Sequence, residues 1–351
     1  MPKVLPALAV TLVTLVTAVT VAVTVAAPQA AAVPVANAPW SKSPVYSPAA
    51  DTPPTPSPST SPVATPVDVQ LSAPSANVLW ALVDGGTLFR SPDGGASWQQ
   101  RPWAPHQGGG GKPVVSFVDE ITGWALFPGV PGTQCLQAPA EVWRTQDAGA
   151  QWSLVSEVAY DKQSKNGLPF EQCKEYMFFA NAKVGFVAGH DTTFQPLISR
   201  TVDGGSTWTQ ARLPNPPGFT PGGGVALTVV DIRQFGSVVL AVAVFNASAY
   251  VFKSIDIGAT WTFLPTDREL PNGQITIVTA THWLNVQAHI QTDDAGKTSQ
   301  RFITVTDDPV ALVGGRFTFP TATVGYAFVD GRLYRSSDSG FHWARAQTPG
   351  V

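Results

Sequence analysis

Short apolar runs and polar turns alternate along most of this chain, and the alternation repeats. An apolar strand, a brief polar turn and a Gly-aromatic-apolar strand follow one another in VVSFVDEITGWALF, YMFFANAKVGFVAG and RFTFPTATVGYAFV. LTVVDIRQFGSVVLAVAVF is a looser version, and in the first repeat only VLWALV is clear. A second apolar or aromatic run, ending in a base, comes next: TLFR, EVWR, LISR, YVFK and RLYR. No stretch carries a sustained helical period. Each repeat therefore predicts strand a, turn, strand b, loop and strand c, with a fourth strand d after one more turn.

That last turn is the most regular part of the sequence. It reads SPDGGASW from Ser91, TQDAGAQW from Thr145, TVDGGSTW from Thr201, SIDIGATW from Ser254 and SSDSGFHW from Ser336. TDDAGKTS from Thr292 is an eroded copy without the tryptophan. The Asp carboxylate and the Ser/Thr hydroxyl can accept backbone amides of a tight turn. The Gly can take a positive φ, and the Trp can cover apolar area between neighbouring sheets. The positions are Asp93, Gly95 and Trp98; Asp147, Gly149 and Trp152; Asp203, Gly205 and Trp208; Asp256, Gly258 and Trp261; Asp294 and Gly296; Asp338, Gly340 and Trp343. They read as turn-locking devices, not as a site. The aspartates are 54, 56, 53, 38 and 44 residues apart, the period of one four-stranded sheet per repeat. Residues 67–351 divided among six repeats give about 47 each, which predicts an all-β, six-bladed β-propeller.

The phrase resembles the Asp-box, or bacterial neuraminidase repeat, of sialidases, sortilin-type receptors and photosystem II assembly-factor propellers. The resemblance covers roughly the last four-fifths of the chain and implies the propeller, while these families use one scaffold for different tasks. In size and in the Gly-aromatic phrase the chain is most similar to the assembly-factor propellers, which implies a partner-holding role. Similarity to the sialidases implies an alternative, a divergent exo-glycosidase. That chemistry needs three convergent arginines, a Tyr nucleophile with a Glu partner and an Asp acid/base. The family's Arg-Ile-Pro signature is absent, and Arg90, Arg144, Arg200 and Arg335 each stand immediately before a box.

Composition adds little to the fold and more to the setting. Charged residues are only 13% against 44% hydrophobic, and 31 Gly and 32 Pro suit many short strands and turns. With a net charge of −3 and no basic stripe, nucleic acid is not an expected partner. Residues 1–38 read as an export segment: a basic start at Met1–Lys3, an apolar stretch from Val4 to Ala27, then small residues. The stretch is long enough to serve as a cleaved signal or to remain as a membrane anchor. Residues 39–66 are rich in Pro, Ser and Thr and read as a disordered spacer. An extracytoplasmic, monomeric propeller is the expectation.

Alternating strand directions put the a–b turns and the boxes on one face. The b–c loops and the connections between blades share the other, and every long insertion falls there, including RPWAPHQGGGGK, GVPGTQCLQAPA and VAYDKQSKNGLPFEQC. Long loops on a rigid scaffold are where function concentrates. Candidate ligand contacts are the loop aromatics and histidines Trp103, His106, Tyr160, Phe170 and His190, with a protein or glycan as partner. The histidines have no metal-ligand spacing, GGGGK lacks the Lys-Ser/Thr of a phosphate loop, and no nucleophile elbow is present, so no catalytic residue, metal or cofactor is assigned. Cys135 and Cys173 fall in loops on the same face of adjacent blades, and in an exported protein they are expected to form a disulfide, the alternative being two buried thiols. Thiol titration of the unfolded, unreduced protein should then find no free thiol; finding two overturns the pairing.

Overall fold

In the computed structural model, residues 68–104, 110–129, 139–158, 167–222, 224–270, 273–307 and 312–351 are described. The apolar stretch Val4–Ala27, the Pro-rich segment, His106, Cys135 and Tyr160 lie outside them. The described residues form strands and turns with no helix.

The strands make six sheets in chain order, antiparallel but for one outer pair in the last. Blade 1 is β1 (Val69–Ser72), β2 (Leu79–Val83), β3 (Thr87–Ser91) and β4 (Gln99–Arg101). Blade 2 is β5 (Val114–Phe117), β6 (Gly123–Phe127), β7 (Ala140–Thr145) and β8 (Ser153–Val158). Blade 3 runs through β9 (Tyr176–Phe179), β10 (Gly185–His190), β11 (Pro196–Thr201) and β12 (Thr209–Arg212). Blade 4 has the longest strands, β13 (Thr228–Phe235), β14 (Val238–Phe245) and β15 (Ser248–Ser254), then β16 (Thr262–Leu264). Blade 5 has the shortest: β17 (Thr276–Ile277), β18 (Trp283–Asn285), β19 (Ile290–Thr292) and β20 (Gln300–Arg301). After β21 (Val305–Thr306), blade 6 is β22 (Arg316–Thr318), β23 (Gly325–Val329), β24 (Arg332–Ser336) and β25 (His342–Arg345). β21 pairs parallel to β25 and gives this blade a fifth, outer strand, which the repeat pattern did not predict.

All six boxes, the eroded one included, adopt one geometry. The Ser/Thr hydroxyl donates to Asp Oδ1 and accepts the Gly amide, at 2.8 Å each in the first box. The same Oδ1 accepts the amide of the residue four positions on, Ser97, Gln151, Thr207, Thr260, Thr298 or His342. The box glycines have φ from +79° to +98°. The residue before each also has positive φ, +55° at Ile257, where a β-branched side chain makes it strained. The strain aims an amide at the blade's own a–b turn. Gly94, Ala148, Gly204, Ile257, Ala295 and Ser339 donate to the carbonyls of Asn77, Ile121, Lys183, Ser237, Thr281 and Thr323. Every box is therefore on the a–b face.

Each box also seats against the preceding blade. A Cβ at Gly258 would lie 2.4 Å from the Phe186 ring of blade 3, and one at Gly340 2.9 Å from Leu284 of blade 5. Trp208 of blade 3 packs among Trp124, Val142 and Phe179, and Trp261 of blade 4 beside Phe186 and Ile198. The Gly-aromatic phrase makes a second link. The Phe117 ring folds over Gly123, leaving a Cβ there only 2.3 Å from the ring, and the Trp80 ring of blade 1 stacks on its other side at 3.8 Å. Phe179, Gly185 and Trp124 repeat this one blade later, at 3.7 Å.

Blades 1 and 6 close the ring without exchanging a strand. Tyr326 Oη donates to the Ala76 carbonyl at 2.6 Å, and Trp98 Nε1 to the Gln347 carbonyl at 2.7 Å. Leu79, Tyr326 and Leu333 are buried together beneath these bonds. Trp208 is 5% exposed, so Trp208→Ala should destabilise the domain by about 3–5 kcal/mol, the usual cost of truncating a buried aromatic. A variant that unfolds at the parental denaturant midpoint would contradict the packing role.

Candidate functional site

The innermost strands, β1, β5, β9, β13, β17 and β22, surround a channel. Their registers with strand b set Ser72, Ser116, Phe178, Arg233, Thr276 and Thr318 at one level. Four hydroxyls leave room at this level, and the two large side chains fill it. Arg233 Nη2 reaches from blade 4 to blade 6 and donates to Thr318 Oγ1 at 3.0 Å. Its guanidinium lies 5.9 Å from the centre of the Phe178 ring, and its Nε is 3.1 Å from Asp231 Oδ1. Arg233 and Phe178 line both the cavity of about 720 Å³ on one side and that of about 380 Å³ on the other. They form a floor between two chambers.

The larger chamber opens toward the loop face, beside Lys112, Asn246, Gln287 and Gly314. Its wall, two residues nearer the loops, carries Gln70, Val114, Tyr176, Asp231, Gln274 and Arg316. Tyr176 Oη donates to Asp231 Oδ1 at 3.2 Å. Desolvation, and then the Asp231 charge, hold the Tyr176 phenol well above its usual range, so it stays protonated. At the rim, Asp68 bridges Lys112 Nζ at 3.0 Å and Arg316 Nη2 at 3.2 Å, tying blade 1 to blades 2 and 6. Glu175 Oε1 lies 3.5 Å from His190 Nδ1. The channel side of an innermost strand has no further strand to pair with. Here neighbouring blades supply acceptors: Ser72 Oγ takes the Phe117 amide and Ser116 Oγ the Phe179 amide, both at 2.8 Å.

Of the sequence candidates, the described Trp103, Phe170 and His190 lie apart from this cup or at its edge. Trp103 follows β4 and is half-buried against Phe127 and Trp152, with ring centres 5.4 and 5.7 Å away. Phe170 is half-buried against a different cluster, around Leu168 and Trp208. His190 ends β10, buried, with its ring stacked on Phe194 at 5.4 Å. Cys173 is 2% exposed, and no described cysteine is free; its pairing with Cys135 stays a proposal. Next to it, the buried Lys174 ammonium donates to the Pro169 carbonyl at 2.5 Å and the Gln172 carbonyl at 2.6 Å. Burial pushes its pKa down to about 7, against the carbonyls, which favour the charged form. It staples the connection into blade 3.

The arginines divide by face. At the box end of strand c, Arg90 pairs with Glu120 at 2.8 Å, Arg144 lies 5.1 Å over Trp124, and Arg335 Nε donates to Tyr326 Oη at 3.3 Å. Arg200 holds the equivalent place, opposite Phe186. Elsewhere, Arg101 donates to the Ala148 carbonyl at 2.9 Å, Arg212 pairs with Asp191 at 3.3 Å, and Arg268 is exposed. Arg233 and Arg316 line the cup. The box carboxylates are occupied by their own turns. Hydrogen bonds from Thr298, amide first and hydroxyl second, hold Asp294 down to about 2.

Sequence reasoning missed Asp231, Arg233, Gln70, Gln274 and Arg316. One sign was available: in TVVDIRQF two opposite charges stand at alternate positions of a strand, flanked by Val, Ile and Phe.

No family model and no curated protein matches the chain. Among solved structures, it is similar to "YCF48 bound to D1 peptide", 17% identical over 80% of this chain and 81% of that one, with a TM-score of 0.45. YCF48 from Cyanidioschyzon merolae is 15% identical over 76% and 79%, with a TM-score of 0.43. The GH74 enzyme of Niastella koreensis is 14% identical over 80% of this chain and 46% of that one, with a TM-score of 0.46. By its own strand order and ring of contacts, the chain is a six-bladed β-propeller in which one Ser/Thr–Asp–Gly turn recurs in every blade.

Proposed function

We propose that this protein is an exported binding module that takes a protein or glycan ligand at the loop-side mouth of its channel, without turning it over. The observation that carries this reading is the cup, about 720 Å³, lined by both polar and apolar side chains and floored by Arg233 and Phe178 on the face opposite the boxes. Its volume falls in the range of about 300–1,000 Å³ usual for ligand sites. The boxed face is committed to structure: its carboxylates, hydroxyls and tryptophans hold turns and neighbouring blades. The basic start and apolar stretch support export, and the Pro-rich spacer supports display of the propeller away from a membrane or wall. A Cys135–Cys173 disulfide would tie the loops of blades 2 and 3 beside the mouth.

One observation favours the sialidase-type reading as a second choice. Tyr176 faces the channel, but the carboxylate at its hydroxyl is Asp231, and Arg233 is already paired with that same group. Gln274 is exposed on the cup wall, so Gln274→Trp should fill the cup without disturbing the fold. The immobilised parent should retain a ligand from the extracytoplasmic fraction of its source cells, and Gln274→Trp should not. Equal retention by both moves the site off the channel, and turnover of a fluorogenic sialoside by the parent replaces the binding reading with the hydrolase.

A further inference from the structure

Resting on that reading, we propose that the cup is selective for an uncharged, polyhydroxylated ligand, a neutral oligosaccharide. Arg233, the one cation at the floor, has its Nε against Asp231 and its Nη2 on Thr318. Lys112 and Arg316 at the rim share Asp68, and Glu175 faces His190. At the floor and lower wall, Arg233 and Asp231 thus already hold each other as partners. An acidic ligand would have to break the Arg233–Asp231 pair or bring its own charge out of water beside Asp231, and either costs more than a hydrogen bond returns.

A neutral ligand rich in hydroxyls meets no such cost. Gln70, Gln274, Gln287 and Asn246 line the same cavity, and each amide both donates and accepts, as a sugar hydroxyl does. Gln70 has one lone pair committed to the Val115 amide, which fixes its orientation. Asp231 can accept from a hydroxyl while keeping its pair with Arg233, because a carboxylate has about four acceptor sites. The cavity has the volume of a small-molecule site, so a chain end or short segment of oligosaccharide fills it and a folded partner cannot enter.

The test is a microarray carrying neutral, sialylated and uronic-acid oligosaccharides, probed with the labelled full chain. Neutral glycans should bind, with a signal that changes by less than about twofold between roughly 50 mM and 500 mM NaCl, because no ion pair forms with the ligand. Gln274→Trp should weaken this signal by about tenfold or more. Asp231→Asn leaves Arg233 unopposed and should move binding from neutral to acidic glycans. Binding confined to acidic glycans and weakened by salt overturns the proposal, as does binding to no glycan. If a protein ligand is instead retained by the parent and lost by Gln274→Trp, the cup remains the site and only the ligand class falls. If every ligand ignores Gln274→Trp, the site itself falls.

Discussion

The structure depends on a hydroxyl and a carboxylate two residues apart. In each repeat the Ser/Thr oxygen and the Asp oxygen together fix a turn with two successive positive-φ residues, a conformation an isolated chain rarely visits. Once fixed, the turn presents an amide to its own a–b turn and a bare glycine to the blade before it. The space left for a Cβ shows how closely the turns seat, with Leu333 only 3.2 Å away at Gly95 and Leu284 2.9 Å away at Gly340. Local hydrogen bonding thus becomes long-range packing. Blade 5 shows which part is essential. Its box lacks tryptophan, yet Thr292, Asp294 and the Gly296 and Thr298 amides keep the same bonds at 2.9–3.0 Å.

This arrangement makes the two faces unequal. Side chains at the box end close on one another, with Arg90, Arg144 and Arg335 spent on Glu120, Trp124 and Tyr326. The loop end inherits the longer connections and an open channel mouth. Arg233 and Phe178 fill one level of the channel, and the level above it carries Gln70, Gln274, Asp231 and Arg316 together with Val114 and Tyr176. A propeller of identical blades would place six equal residues at that level. Here the set is Ser, Ser, Phe, Arg, Thr and Thr, and this asymmetry turns a pore into a cup.

The boxes were legible in the sequence because their chemistry is local: hydroxyl, carboxylate and glycine lie within five residues, so their spacing is the structure. Six blades followed from counting them, and the assignment of faces from alternating strand direction. Strand a was legible in blades 2, 3, 4 and 6 and not in blades 1 and 5. VQLS of β1 and the two-residue β17 are too short to stand out, because one side of an innermost strand faces the channel and need not be apolar. The cup was hidden for the same reason, since its residues come one or two from each blade and meet only when the ring closes. β21 was invisible because a parallel outer strand of two residues needs no pattern of its own. The aromatic candidates were chosen for lying in loops, and Trp103 and Phe170 instead bury much of their rings between blades.

Hydrogen exchange at the six box glycine amides tests most directly whether the hydroxyl–carboxylate turn, and not the tryptophan, holds the blades. Each of these amides is bonded to its Ser/Thr oxygen at 2.7–3.0 Å. All six should exchange only through opening of the whole domain, with Gly296 protected as well as Gly95, Gly149, Gly205, Gly258 and Gly340. Fast exchange at Gly296 alone, beside five protected glycines, would show that the tryptophan is what keeps a box closed.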